Sequence, residues 1–229
     1  MMRETSIDIM GVVLMGPVRG GRRLLAVGAI AAALLALAPV TPGAAHGSGA
    51  EYLYSASDAY LHGRVQEVGD TDDVLLAVQF RPTVGGTVNG VRICLDLTPQ
   101  QVSARLPLAA GLWAADGQAL ANGGAYEGIE YAAPCFYRVS MSPVRVNAGR
   151  TYVAGFWLRG GQYSYVPDGF AEQRGNTTDG HLIAPSSADA TVGDGNGLYA
   201  YSPAGMPFPT QSWENADYLV SPVFTPDPH

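Results

Sequence analysis

Lysine is missing from this chain of 229 residues, and all 13 basic side chains are arginine. Schiff-base chemistry on a lysine and a phosphate-loop lysine are thereby excluded. Histidine occurs four times and cysteine twice, too few for a clustered zinc site of His and Cys. No GxSxG elbow and no HExxH is present, so the sequence offers no catalytic residues by motif. Charged residues make up only 14% while hydrophobic residues reach 47%, which excludes a disordered chain. Beyond residue 45 no stretch keeps a 3.6-residue apolar period. VSARLPLAA (102–110) is the sole helical candidate, and Pro107 argues against it. Against these absences stand 29 Gly and 16 Pro, too many for a helical bundle.

There is one long apolar run. Arg22 and Arg23 precede LLAVGAIAAALLALA (24–38), and Pro39, Pro42 and Gly43 follow it. Its 15 residues reach ~22 Å as a helix, short of a ~30 Å hydrocarbon core. A basic start, a short apolar run and the small residues Gly43-Ala44-Ala45 make residues 1–45 a removable secretory signal, with a membrane anchor as the competing reading. The stretch before Arg19 is unlike a leader, so translation is expected to begin at Met15. An intact mass of the precursor that includes residues 1–14 would overturn that start. Removal of the leader leaves nine arginines against 18 acids. So acidic a product is repelled by phosphate backbones and anionic membranes; neither a nucleic-acid partner nor a stable membrane span is expected, and the destination is extracellular.

Cys94 and Cys135 both follow the leader, 41 residues apart. Outside the cytoplasm such a pair is expected to form a disulfide, the alternative being two separate buried thiols. Closing that loop stabilises a fold by about 4 kcal/mol in the chain-entropy model. In VRICLDL (91–97), Val91, Ile93, Leu95 and Leu97 share one face. Cys94 lies on the other with Arg92 and Asp96, which puts a bridge on the outer face of its sheet.

The rest reads as short strands between turn residues: 74–80, 91–97, 108–114, 135–141, 144–146, 150–159, 162–166, 181–184, 197–201 and 217–224. The strands at 74–80 and 150–159 are apolar on both faces, as central strands are. About ten strands without intervening helices predict an all-β, antiparallel sandwich of jelly-roll-like form, a single domain over 51–226. Asp168 to Asp179 is polar and reads as a long loop, and Gly195-Asn196-Gly197 as a turn.

The order of several segments resembles a bacterial family of exported modules, a domain of unknown function numbered four-zero-eight-two. VLLAVQF, VNGVRICL (88–95), GLWAADGQALA (111–121), PVRVNAGRTYV (143–153), GNGLYAY (195–201), FPT (208–210) and YLVSPVF (218–224) carry the likeness. The chain departs from it at Cys135-Phe136 and at Leu219, where members usually carry Trp, and in the cysteine pair. The resemblance implies a β-sandwich of secreted proteins, found alone or beside immunoglobulin-like, cadherin-like and carbohydrate-active domains. It implies no catalytic residues.

Two segments hold the ingredients of sugar recognition, aromatic faces beside polar groups. Tyr163 and Tyr165 point the same way in QYSYV, with Asp168 just after. Trp213 stands in QSWENAD beside Glu214, Asn215 and Asp217. Tyr163, Tyr165, Asp168, Trp213 and Asn215 are the candidate ligand-binding residues; the plainer reading is aromatics covering the edge of the sandwich. Trp113 and Trp157 are expected in the core, and one face of the strand bearing Tyr199 and Tyr201 is expected to be buried. Asp70, Asp72 and Asp73 form a candidate calcium loop, with a solvated turn as the plainer reading. His62 and His181 are isolated. The expectation is a secreted, non-catalytic module that binds a glycan or another cell-surface component. The alternatives are a polysaccharide hydrolase or lyase, with Glu127 and Glu130 as its acids, and a purely structural domain.

Overall fold

The computed structural model describes residues 49–54, 66–106, 108–125, 129–132, 135–175 and 180–228. The leader, the start at Met15, His62 and Glu127 lie outside the described residues. In chain order the elements are β1 (Gln66–Gly69), β2 (Val74–Pro82), β3 (Gly86–Cys94), the helix α1 (Pro99–Ser103), β4 (Leu108–Ala114) and β5 (Ala119–Ala125). Then come β6 (Ile129–Ala132), β7 (Phe136–Val146), β8 (Tyr152–Leu158), β9 (Gln162–Tyr165) and β10 (Arg174–Gly175). β11 (Leu182–Ala184), β12 (Leu198–Tyr201), β13 (Gln211–Ser212) and β14 (Val220–Pro226) complete the chain.

One sheet runs β14-β3-β7-β6 and the other β10-β11-β2-β8-β4-β5, with β12 added along β2 and β13 along β12. β1 and β9 form a separate ribbon. The pairings, such as β3 with β7 and β2 with β8, are antiparallel, and the fold is the all-β sandwich that the alternating strands predict. Between the sheets lie Leu76, Val78 and Phe80 of β2, Val91 and Ile93 of β3, and Phe156 and Leu158 of β8. The reverse face of the larger sheet is also apolar. Leu75, Ala77, Trp113, Val153 and Trp157 form a second cluster there, closed by Val192 and Leu198. The doubly apolar strands at 74–80 and 150–159 are therefore central in the full sense, with every residue of β8 buried. The segment that seals the outer face is irregular, and it must be held by something other than strand pairing.

Gln79 holds it. Its side chain is fully buried on that outer face. Its Nε2 donates to the carbonyls of Val192 and Gly195 at 2.8 and 2.7 Å. Its Oε1 accepts the N–H groups of Thr191 and Val192 at 3.0 and 2.9 Å. Asn196 mirrors it: Oδ1 accepts from the Gln79 and Gly197 N–H groups, while Nδ2 donates to the carbonyls of Gln79 and Pro185. Each amide satisfies four backbone groups that would otherwise be buried without partners. The pair fixes where the chain leaves the loop and enters β12.

Three features depart from the sequence expectation. Pro143 does not divide its strand, and β7 runs through it to Val146. The β3–β7 register shifts between Val88 and Gly90, so the residue without an N–H sits at a bulge, where no ladder bond is lost. A short helix forms after all, but it starts ahead of the 102–110 candidate and shares only Val102 and Ser103 with it. Thr98 and Gln101 make a reciprocal capping box, and Pro99 occupies the first turn, where its missing N–H costs nothing. β1, β5, β6, β10 and β13 were not anticipated, because they are very short or, like ALANGGA in β5, lack apolar alternation.

Cys94 and Cys135 are bonded, Sγ to Sγ at 2.01 Å, joining the end of β3 to the residue before β7. Cys94 shares its face with Arg92, and the facing residues on β7 are Phe136 and Arg138. The bridge thus lies on the outer face, as the alternation of VRICLDL requires. No helix among the described residues is long and apolar enough to cross a membrane.

Candidate functional site

Apolar side chains left exposed are the place to look for a site, because burial is where they belong. Among the described residues the large ones that stay exposed are Tyr201, at 50%, and Trp213, at 45%. Both line the same concavity, of about 280 Å³, together with Val68, Tyr163, Tyr165, Tyr199 and Tyr218. Six aromatic side chains from three separate stretches of the sequence therefore meet at one place.

Each wall follows from the fold. β12 pairs with the first half of β2, so that Tyr199 lies opposite Leu76 and Tyr201 opposite Val74. Those partners face the interlayer core. The two tyrosines therefore continue the core-facing surface outward past the edge of β2, while Leu198 turns to the outer cluster. A second wall is the β1–β9 ribbon, where Val68 pairs with Tyr163 and Gln66 with Tyr165. The Tyr165 hydroxyl donates to Gln66 Oε1 at 2.9 Å and locks its ring along the ribbon.

The third wall is the segment 213–219, just before β14. Trp213 begins a tight turn in which Glu214 and Asn215 both have positive φ, at 45° and 52°, and Ala216 N–H donates to the Trp213 carbonyl. Asp217 is buried. Its carboxylate accepts the Tyr54 hydroxyl at 2.6 Å and the Leu219 N–H at 2.8 Å. Backbone bonds in both directions with Val166 tie it to the ribbon. Leu219 is itself at φ 58°, a strained state for a buried leucine, and Asp217 holds it there. This kink aims Tyr218 into the pocket floor. Gly197 makes the approach possible: its φ is 73°, and a Cβ there would stand 1.7 Å from the Ala216 carbonyl oxygen.

The rings meet edge to face. Tyr163 and Tyr218 have centroids 5.7 Å apart at 80°, Tyr218 and Tyr199 6.3 Å at 77°, and Tyr199 and Tyr201 5.8 Å at 72°. Tyr165 and Trp213 are 5.6 Å apart at 56°. Successive faces are turned against one another and enclose a volume, where parallel faces would form a platform.

Asp70 stands at the mouth. The Tyr201 hydroxyl donates to its Oδ2 at 2.5 Å, and its Oδ1 accepts the N–H groups of Thr71 and Asp72. Those bonds, the one from Tyr201 first, hold the Asp70 carboxyl below its usual range, so it is ionised at neutral pH. Tyr201 is pushed well up by the same bond, Tyr218 by burial, and Tyr163 by burial. All three phenols stay protonated at neutral pH, donors and ring faces with no nucleophile among them.

Of the residues singled out from sequence, Tyr163, Tyr165 and Trp213 come together. Asp168 and Asn215 do not line this pocket. Asp168 is exposed at φ 52°, in a turn beside Ala171, Glu172 and Arg174. Asn215 gives its carbonyl to Phe170 N–H. Both bend the chain, and that is why a polar residue tolerant of positive φ stands at each. Two of the three acids of the proposed calcium loop go separate ways: Asp70 to the pocket mouth, and Asp73 to the Gly160 N–H at 2.9 Å. Among the described residues no three His, Cys, Asp or Glu side chains gather as a metal ion requires. His181 contacts Glu51, Nδ1 to Oε1 at 2.8 Å, away from the pocket. Glu130 falls in β6, paired in register with Arg138.

Sequence reasoning missed Tyr199, Tyr201, Tyr218 and Asp70. The signal for the first two was present in the alternation of GLYAY, which puts both rings on one face. It was read as burial alone. No curated protein matches the chain. Residues 61–220 match the family described as Domain of unknown function (DUF4082), and with its sandwich fold and most of its length covered, the chain belongs to that family.

Proposed function

We propose that this protein is an exported, non-catalytic binding module that holds part of a carbohydrate or another cell-surface component in the aromatic pocket. The observation that carries the reading is the convergence of six aromatic side chains on one concavity, two of them left exposed at its rim. Such an arrangement exposes apolar area at a cost to folding, and contact with a ligand recovers that area. Export is supported by the signal-like residues 1–45 and by a disulfide, a bond that persists in oxidising compartments.

Absence of catalysis is supported by the chemistry at the mouth. Asp70 is ionised and occupied by three donors, an acceptor without a proton to give. Glu67 is pushed up by its hydrogen bond with Asp96, as a general acid would be. Alternation along β1 puts it on the face opposite Val68 and the pocket. Calorimetric titration against a panel of polysaccharides and cell-envelope polymers tests the reading. Binding to the native protein and its loss in Trp213→Ala, with an unchanged circular-dichroism spectrum, are expected. A native protein that binds nothing on the panel and nothing carrying an organic cation removes it.

A further inference from the structure

We propose that the group gripped by this pocket is an N-methylated ammonium, quaternary as in choline. The inference rests on the reading of the pocket as a binding site and names what it binds.

Aromatic rings attract a cation to their faces, and a quaternary ammonium spreads its charge over a near-spherical shell of methyl groups. A shell of that shape is served by rings that turn around it. Tyr163, Tyr218, Tyr199 and Tyr201 do so, each nearly perpendicular to the next at 72° to 80°. A pyranose has two flat faces and a belt of hydroxyls, which call for a platform and for amides or carboxylates in the ring plane. Among the described residues the lining includes no amide and no carboxylate. Two of the tyrosine hydroxyls already donate elsewhere, Tyr165 to Gln66 and Tyr201 to Asp70.

Charge points the same way. Among the described residues no basic side chain lines the pocket, and the fixed charge tied to its wall is the carboxylate of Asp70, beside the exposed Tyr201 ring. The chain as a whole carries a formal charge of -7. A primary ammonium would need acceptors for three N–H groups, whereas a quaternary one needs none. At about 280 Å³ the concavity has the room for one compact group, being just below the roughly 300–1,000 Å³ of sites for whole small molecules.

Tryptophan fluorescence and calorimetry on the purified protein test this, with choline chloride as probe and 3,3-dimethylbutan-1-ol as its uncharged twin. Choline is expected to bind at least about tenfold more tightly than the twin. Asp70→Asn is expected to weaken choline about fivefold and to leave the twin unaffected. Trp213→Leu, an exposed position where folding is not at stake, should weaken both. Capture on phosphatidylcholine vesicles but not on phosphatidylglycerol ones, competed by free choline, would assign the ammonium to a lipid headgroup. Binding of free choline without capture would assign it to a soluble or polymer-borne source. Equal binding of the twin, or no binding of choline, overturns the proposal. If oligosaccharides then bind, the binding-module reading survives without it; if neither binds, both fall.

Discussion

Two places in this protein present aromatic faces to a cation or to the space for one, and they differ in who supplies the charge. On the outer face of the smaller sheet the Arg92 guanidinium lies 3.5 Å from the Tyr52 ring centroid and 4.2 Å from that of Phe136. There the chain supplies both partners. Arg92 is buried, and among the described residues its Nε and Nη2 have no hydrogen-bond partner. The rings take the role that acceptors would otherwise have, and burial lowers its pKa only to about 10, so it remains charged at neutral pH. At the pocket the chain supplies more rings, a carboxylate at the mouth and, among the described residues, no basic side chain in the lining. A closed pair of this kind adds to the fold, whereas rings without a cation of their own are available to something else.

The two sites should therefore respond oppositely to change. The largest effect is expected at the disulfide, which anchors the residue preceding Phe136 and so one wall of the Arg92 site. Replacing Cys94 and Cys135 by alanine should cost about 4 kcal/mol in chemical denaturation, while ligand binding at the pocket persists below the lowered transition. Gln79→Ala comes next. It leaves the 191–195 backbone without partners and should cost about 3 kcal/mol. Unlike the disulfide change it should also weaken binding, because Gln79 fixes the entry into β12; calorimetry on the folded variant measures both.

At Arg92 the comparison sharpens. Arg92→Met replaces a buried cation by an apolar chain of similar reach and should alter stability by less than about 1 kcal/mol. Arg92→Ala, which empties the gap between two rings, should cost about 2 kcal/mol. Neither should change pocket binding. A loss of binding in the Met variant would show that the two sites are coupled.

The smallest effect concerns Asp70. Its pKa in the fold lies below the ordinary value of 3.8. The bond to Tyr201 therefore contributes stability that is fully present above that value and lost as the pH falls through the lowered one. Thermal melts of the native protein should show a slight decline there that Tyr201→Phe lacks. An identical pH profile in the variant would detach Asp70 from the pocket.

How much of this was legible before folding differs residue by residue. Period-2 alternation is local, and it placed Val91 and Ile93 inward, Cys94 and Arg92 outward, and Tyr163 with Tyr165 on a common face. Tyr218 could not be placed so. The expected strand 217–224 begins only at Val220, because Leu219 at positive φ breaks the alternation between them. That kink depends on Asp217 meeting Tyr54, 163 positions away. Asp70, read as part of a calcium loop, became part of the pocket through Tyr201, 131 positions away.

Sequence alone thus determined the all-β class and the doubly covered central strands. Each of these rests on composition or on the side-chain period of neighbouring residues. Only the tertiary structure decided that three of five candidate residues share a pocket with three tyrosines not among them, and that Asp168 and Asn215 serve turns instead. Membership of a pocket is set by which strand edges meet and where a loop is pinned, and those are contacts between residues that the order of the chain leaves far apart.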